Sequence, residues 1–256
     1  MASSKLHFID NKTKIAILLI TTAVLVILTF LLPPISQPLS YHDFADKRAF
    51  FGIPHALDVL SNLPLLMMGM IGMVLVLLIR LHRTSPGEKV LWLLLFGAAG
   101  LTAVGSAYYH LQPNHYRLAF DRCGLSLLFM SFLSLMLSER IDKKIGLALA
   151  PFLILLGIGS VVYWLATDDV RFYGLVQFGS TLLVLGVLVL FRPIHPGTGF
   201  LYLGLGLYGL SKICEVGDWQ IYGLLGETIS GHSLKHIFSA GGIGAFVAYL
   251  SCRLAR

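Results

Sequence analysis

The stretch Gly231–Ala240, GHSLKHIFSA, decides how the chain is read, because it sets two histidines inside a segment apolar enough to cross a bilayer. His232 and His236 are four residues apart, so on a helix both imidazoles lie on one face, one turn from each other. That spacing offers a zinc ion two nitrogen ligands from one rigid element. An HxxxH pair by itself also arises by chance, as two unrelated polar residues at a helix end. A second constellation, Ser106, His110 and Asp121, falls on an adjacent pair of apolar helices and turns the reading toward a metal. Three histidines with an open fourth position describe a catalytic zinc rather than a structural one.

The wider composition sets the class. Of 256 residues, 56% are hydrophobic and 12% charged, and the mean hydropathy is +0.80. Such a chain is an all-α polytopic membrane bundle, not a soluble domain. The net charge of +6 does not point to nucleic acid, because the basic residues sit in short loops between apolar runs. They report topology and attraction to anionic headgroups. Cys123, Cys214 and Cys252 are dispersed without CxxC spacing, so neither a disulfide framework nor a thiolate metal site is expected.

Taken in order, a basic tail (Lys5 to Lys14) precedes the run from Ile15 to Leu32, about 18 apolar residues closed by Pro33-Pro34. No small-residue cleavage site follows it, so it reads as an uncleaved first span with its basic end in the cytoplasm. Residues 1–40 thus form a tail and an extra N-terminal helix, and 41–256 a seven-helix membrane domain. Ile35–Pro54 is a long polar loop. Further spans are expected at about His55–Ile79, Val90–His110, a fourth ending near Leu137, a fifth to Ala166, a sixth to Phe191, Phe200–Cys214, and a last one carrying HxxxH.

Within these spans a few polar residues stand out. Asp58 and the Ser61-Asn62 pair lie in the outer half of the second span, where interhelical hydrogen bonding is the ordinary use. Ser106 and His110 are again four apart on one face, Pro113-Asn114 breaks the helix, and the short hairpin sets Asp121 at the depth of His110. With the N-terminus inside, the inner loops collect Arg80, Arg83, Lys89, Arg140, Lys143, Lys144, Arg192, Arg253 and Arg256. This topology sends His110, Asp121, His232 and His236 to the outer helix ends, an independent reason for them to meet.

The chemistry follows from that meeting. A zinc on His110, His232 and His236 activates water, Asp121 accepts its proton and passes it to a leaving amine, and Ser106 assists the forming oxyanion. This is amide or ester hydrolysis, on an amphiphilic substrate that enters sideways from the bilayer.

SxxxH (Ser106, His110), a following Asp121 and HxxxH (His232, His236), spread over hydrophobic spans, together resemble the alkaline ceramidase family of the CREST superfamily of membrane hydrolases. LSNLP, from Leu60 to Pro64, is similar to the Ser-Asn signature of that family's first helix. The resemblance covers roughly Phe44 to Ala255 and leaves Ile15–Leu32 as an added helix. It implies zinc on the three histidines, a water oriented by Asp121, Ser106 assisting at the metal, and cleavage of a ceramide-like amide to a sphingoid base and a fatty acid. The family's acidic calcium-binding stretch is replaced here by FADKRAFFGIPHALDVLSN, so calcium is not assigned. The chain looks most like a bacterial branch, whose substrate is ceramide or another N-acyl lipid.

Two alternatives stand beside the hydrolase: a zinc-containing receptor of the progestin and adipoQ type, and a proton-coupled transporter, which would show inverted repeats. The expected partners are membrane lipids and the lipid amide, with neither nucleic acid nor a protein partner. The expected location is a bacterial inner membrane, with the site toward the outer face. Glu215, Asp218 and Glu227 read as acids of a solvated loop. Lys235 reads as facing a headgroup or pairing with an acid. His115 competes with His110 as a ligand, with the register to Ser106 favouring His110. His7, His42, His82 and His195 read as loop or tail residues, and Tyr108, Tyr109, Tyr116, Trp219 and Tyr222 as an interfacial belt.

Overall fold

In the computed structural model of the chain, residues 9–78 and 84–254 are described; His7, His82, Arg80, Arg83 and Arg256 lie outside them. Among the described residues there are helices and turns but no strand. The helices are α1 (Asn11–Leu31), α2 (Ala56–Leu60), α3 (Leu63–Leu78), α4 (Pro86–Leu111), α5 (His115–Arg140), α6 (Lys143–Thr167), α7 (Arg171–Leu190), α8 (Thr198–Val216), α9 (Asp218–Leu224) and α10 (Gly231–Leu254). α7 includes a π segment, Leu175–Gly179.

Seven of the segments, with α2 and α3 counted as one, are long and apolar enough to span a bilayer. The chain is therefore an integral, multi-pass, all-α membrane protein. The expected span at Phe200–Cys214 does form a helix, α8, of 19 residues, but it is not one of the seven. Lys212 and Glu215 near its C-terminal end dilute its apolar run. The helix boundaries follow local chemistry. Asp10 caps α1 by accepting from Thr13 N at 2.8 Å, Asp142 caps α6 through Lys144 N and Ile145 N, and Asn114 caps α5 through Arg117 N at 2.9 Å.

The helices gather into two compact units. The first comprises Met1–Gln37, Ser85–Leu95 and Ser126–His195. In it α1 is a peripheral apolar helix: only 6% of its apolar window is buried. Its exit is tied down by the loop after α6. Asp169 Oδ1 accepts from Ile35 N at 3.3 Å, Asp168 Oδ1 accepts from Gln37 N at 3.2 Å, and Arg171 donates to the Leu32 carbonyl. Asp169 in turn takes the Arg171 fork through both carboxylate oxygens, and that guanidinium holds its pKa well below the usual carboxylate range.

The second unit comprises Pro38–Thr84, Phe96–Leu125 and Pro196–Arg256. It contains every residue of the candidate site. Its glycines permit close helix approach where the site is built. A Cβ on Gly105 would stand 2.6 Å from the Phe120 carbonyl oxygen, and one on Gly231 2.4 Å from that of Cys214. α4 therefore touches α5 beside Asp121, and the start of α10 rests on the α8–α9 junction.

Candidate metal centre

α10 begins with its histidines fixed from both sides. Ser230 Oγ caps the helix by accepting from Ser233 N at 2.9 Å, and Asp218 Oδ1 accepts from His232 N at 2.7 Å. Asp218 Oδ2 accepts from Ala45 N at 2.9 Å, so the same carboxylate pins the loop after the first helix. The expected solvated-loop position of Asp218 is thus corrected: it is a buried bracket, because two backbone donors need an acceptor there. Asp58, fully buried, accepts from the hydroxyls of Ser230 at 3.1 Å and Ser233 at 2.7 Å. It does the interhelical bonding expected of it.

His110, His232 and His236 come together. One ring nitrogen from each lies within 4.8 Å of the others, and among the described residues no other His, Cys, Asp or Glu completes such a group of three. The ring centroids are 4.8, 5.1 and 5.0 Å apart in the pairs 110–232, 110–236 and 232–236. All three rings are buried, His110 at 0% exposure.

The hydrogen bonding shows what the cluster lacks. Neither ring nitrogen of His110 has a partner, and a buried imidazole left so is costly unless something else binds it. His236 Nδ1 lies 2.8 Å from Ser61 Oγ. Ser61 Oγ also donates to the Asp58 carbonyl at 3.2 Å, and Asn62 Nδ2 lies 3.4 Å from the same Nδ1, so the pair ties that edge of the ring to the end of α2 and leaves Nε2 to other partners. Ser106 Oγ stands 3.3 Å from that Nε2. Three convergent, buried imidazoles fit a metal that takes nitrogen ligands, and do not fit Mg²⁺ or Ca²⁺, which want oxygen.

The helix break between α2 and α3 makes the Ser61 support possible. Asn62 N turns to Val59 O at 3.3 Å. The Asp58 carbonyl is left to take Asn62 Nδ2 at 2.8 Å along with Ser61 Oγ. The Ser-Asn pair is thus a bracket for His236, the interhelical bonding expected of it, with a partner the sequence does not name.

Asp121 is buried in the second turn of α5 and is not one of the mutually close group. The Gly105 contact brings its backbone against α4 one residue before Ser106. It lies within electrostatic reach of Lys235.

Several sequence readings are corrected here. Glu215 is not a solvated acid: its Oε2 pairs with Lys212 at 2.6 Å and its Oε1 with Lys235 at 2.5 Å, with the Tyr41 hydroxyl donating at 3.1 Å. Lys235 pairs with that acid, one of the two roles expected of it; it is buried, and its Nζ lies 3.5 Å from His232 Nε2. Glu227 is exposed, as expected of a loop acid. Tyr109 is buried rather than in a belt, because its hydroxyl bonds His42 Nδ1 at 2.7 Å. His42 Nε2 meets His115 Nδ1 at 2.6 Å, so His115 is engaged away from the cluster and His42 is no bystander. Burial first, then the neighbouring His115 and Arg122, push His42 down to about 4, so it is neutral at pH 7.

The loop before α2 supplies what no motif announced. Phe44, buried, sets its ring edge-on to His110 at 4.7 Å and to His232 at 4.4 Å. The loop that carries it is fastened by Asp218, by Trp219 Nε1 donating to the Asp43 carbonyl at 3.1 Å, and by His42. Asp46 anchors the next turn: burial opposes its ionisation, and the bonds from Arg48 outweigh that and leave its pKa lowered. Compared with models of known protein families and with curated protein sequences, the chain matches none.

Proposed function

We propose that the chain is a zinc-dependent intramembrane amidohydrolase that cleaves ceramide-like N-acyl lipids to a long-chain base and a fatty acid. The observation that carries this reading is the buried three-histidine cluster, in which both His110 nitrogens are orphaned. His110, His232 and His236 would hold the ion. Zinc bound by three imidazoles supplies a water activated near neutral pH and a Lewis acid for the acyl carbonyl.

The chain's own residues do the rest. Ser61 orients the His236 ring through Nδ1. Asp121 takes the proton of the attacking water and returns it to the departing amine nitrogen. Ser106, one turn before His110, donates a hydrogen bond to the acyl oxygen as it gains negative charge. Phe44 covers the His110 and His232 rings and keeps bulk water off them. The spans around the site would make the bilayer the source of substrate, the charge pattern favours a site toward the outer face, and the compact loops suit a bacterial inner membrane.

The test is fatty-acid release from a panel of N-acyl sphingoid bases and other N-acyl lipids by the detergent-purified protein. The expected result is hydrolysis that stops on chelation and returns with zinc. A zinc-loaded protein that cleaves no member of the panel contradicts the proposal.

A further inference from the structure

The cluster has a buried cation for a neighbour. His232 and Lys235 are three residues apart on α10 and so share a face, and Lys235 Nζ approaches His232 Nε2 to 3.5 Å. Burying an ammonium in a membrane protein is costly. Glu215 offsets that charge together with the one on Lys212, which pairs with the same carboxylate at 2.6 Å. Both ammoniums pair with Glu215, whose position the Tyr41 hydroxyl also fixes, and both lie within electrostatic reach of the buried Asp121 carboxylate. Of the three N–H donors of Lys235, Glu215 Oε1 takes one at 2.5 Å, and His232 Nε2 stands opposite another at the limit of hydrogen-bond distance. A donor so placed stands at the edge of the histidine cluster.

We propose that Lys235, braced by Glu215 and Lys212, is a specificity-determining residue for an anionic group on the amine half of the substrate, next to the scissile amide. The inference rests on the hydrolase reading and narrows it, from neutral ceramide-like lipids to N-acyl amino acids or lipids like them. In an N-acyl amino acid the carboxylate lies within one residue's length of the amide carbonyl, about 3.5 Å. A group that close to the reacting carbon falls beside Lys235 when the carbonyl is at the histidines.

The test compares binding of N-palmitoylglycine and N-palmitoylethanolamine, equal in chain and differing in the carboxylate. The detergent-solubilised full chain is used, both zinc-stripped and zinc-loaded. Wild type binds the acid about 10- to 100-fold more tightly, as expected for a charge-assisted hydrogen bond. Lys235→Met removes the preference and Lys235→Arg keeps part of it. Should Lys235→Met not fold, because Glu215 loses a partner, the Glu215→Gln/Lys235→Met double variant reads the same quantity. Equal binding of the two amides by wild type overturns the proposal, as does an unchanged preference in the Met variant. Because the zinc-stripped protein needs no turnover, an acid preference that depends on Lys235 supports the subsite even if no lipid amide is cleaved. Cleavage of the neutral amide without acid preference removes the subsite and leaves the hydrolase.

Discussion

Two buried polar groups, one in each unit, differ in whether their hydrogen bonds are satisfied. Asp169, in the first unit, accepts from Ile35 N, Arg171 N, the Arg171 guanidinium and the Tyr163 hydroxyl. Nothing is left over, and the carboxylate serves as a clamp on the chain leaving α1. The histidine cluster of the second unit is the reverse. Its rings are held from outside by Ser61, by the Asp218 bond to His232 N and by Phe44, yet His110 has no hydrogen-bond partner at either nitrogen. A satisfied buried group stabilises a fold; a preorganised but unsatisfied one marks a place for something else to bind.

The largest effect that can break this contrast is on turnover. Asp121→Asn should retain zinc and lose about 10²- to 10⁴-fold in lipid-amide hydrolysis, since the proton acceptor goes while the ligands stay. Steady-state rates beside metal analysis check it, and activity within a few-fold of wild type would move the base elsewhere. Ser61→Ala should weaken zinc affinity by about 10- to 100-fold through loss of the bond to His236 Nδ1, with the helices intact. A chelator competition titration measures that shift.

The first unit should respond in stability alone. Asp169→Asn should lower the melting temperature by several degrees while zinc content stays at the wild-type level. The sign with pH follows from the lowered pKa of Asp169. The folded state holds the proton less tightly than the unfolded chain, so the contribution is complete above the unfolded value, about 3.9, and is lost as pH falls below it. Melting curves of wild type and Asp169→Asn should therefore converge in strong acid.

His42 gives the smallest effect. With its pKa depressed to about 4, its stabilising contribution is present above the unfolded value, about 6.5, and fades as pH falls between the two. His42→Gln should flatten the stability profile in that window and leave metal content unchanged. A profile identical to wild type would show that the His42–His115 contact carries no proton linkage.

What is legible in the sequence is legible through helical period. The i, i+4 pairs Ser106–His110 and His232–His236 and the Pro113-Asn114 break fix which faces and depths the side chains occupy before any packing is known. The same period points to Lys235 through its i, i+3 partner His232, a relation hidden when Lys235 is set against adjacent His236, about 100° away. Phe44 and His42 carry no such signal. They reach the site through a loop whose course depends on Asp218 and Trp219, more than 170 residues away in sequence. α8 reads as a span from its glycines and leucines, but Lys212 and Glu215 lower its mean apolarity, and that dilution is legible in the sequence. What is not legible is that α10 supplies Lys235 to the same Glu215.

The most direct test of the central claim is the metal content of the full chain, purified without chelator, beside the His110→Ala/His236→Ala variant. The account predicts about one zinc per wild-type chain and none in the variant. A wild-type protein that carries no metal and takes up none on zinc addition, or a variant that keeps its full zinc, would contradict it.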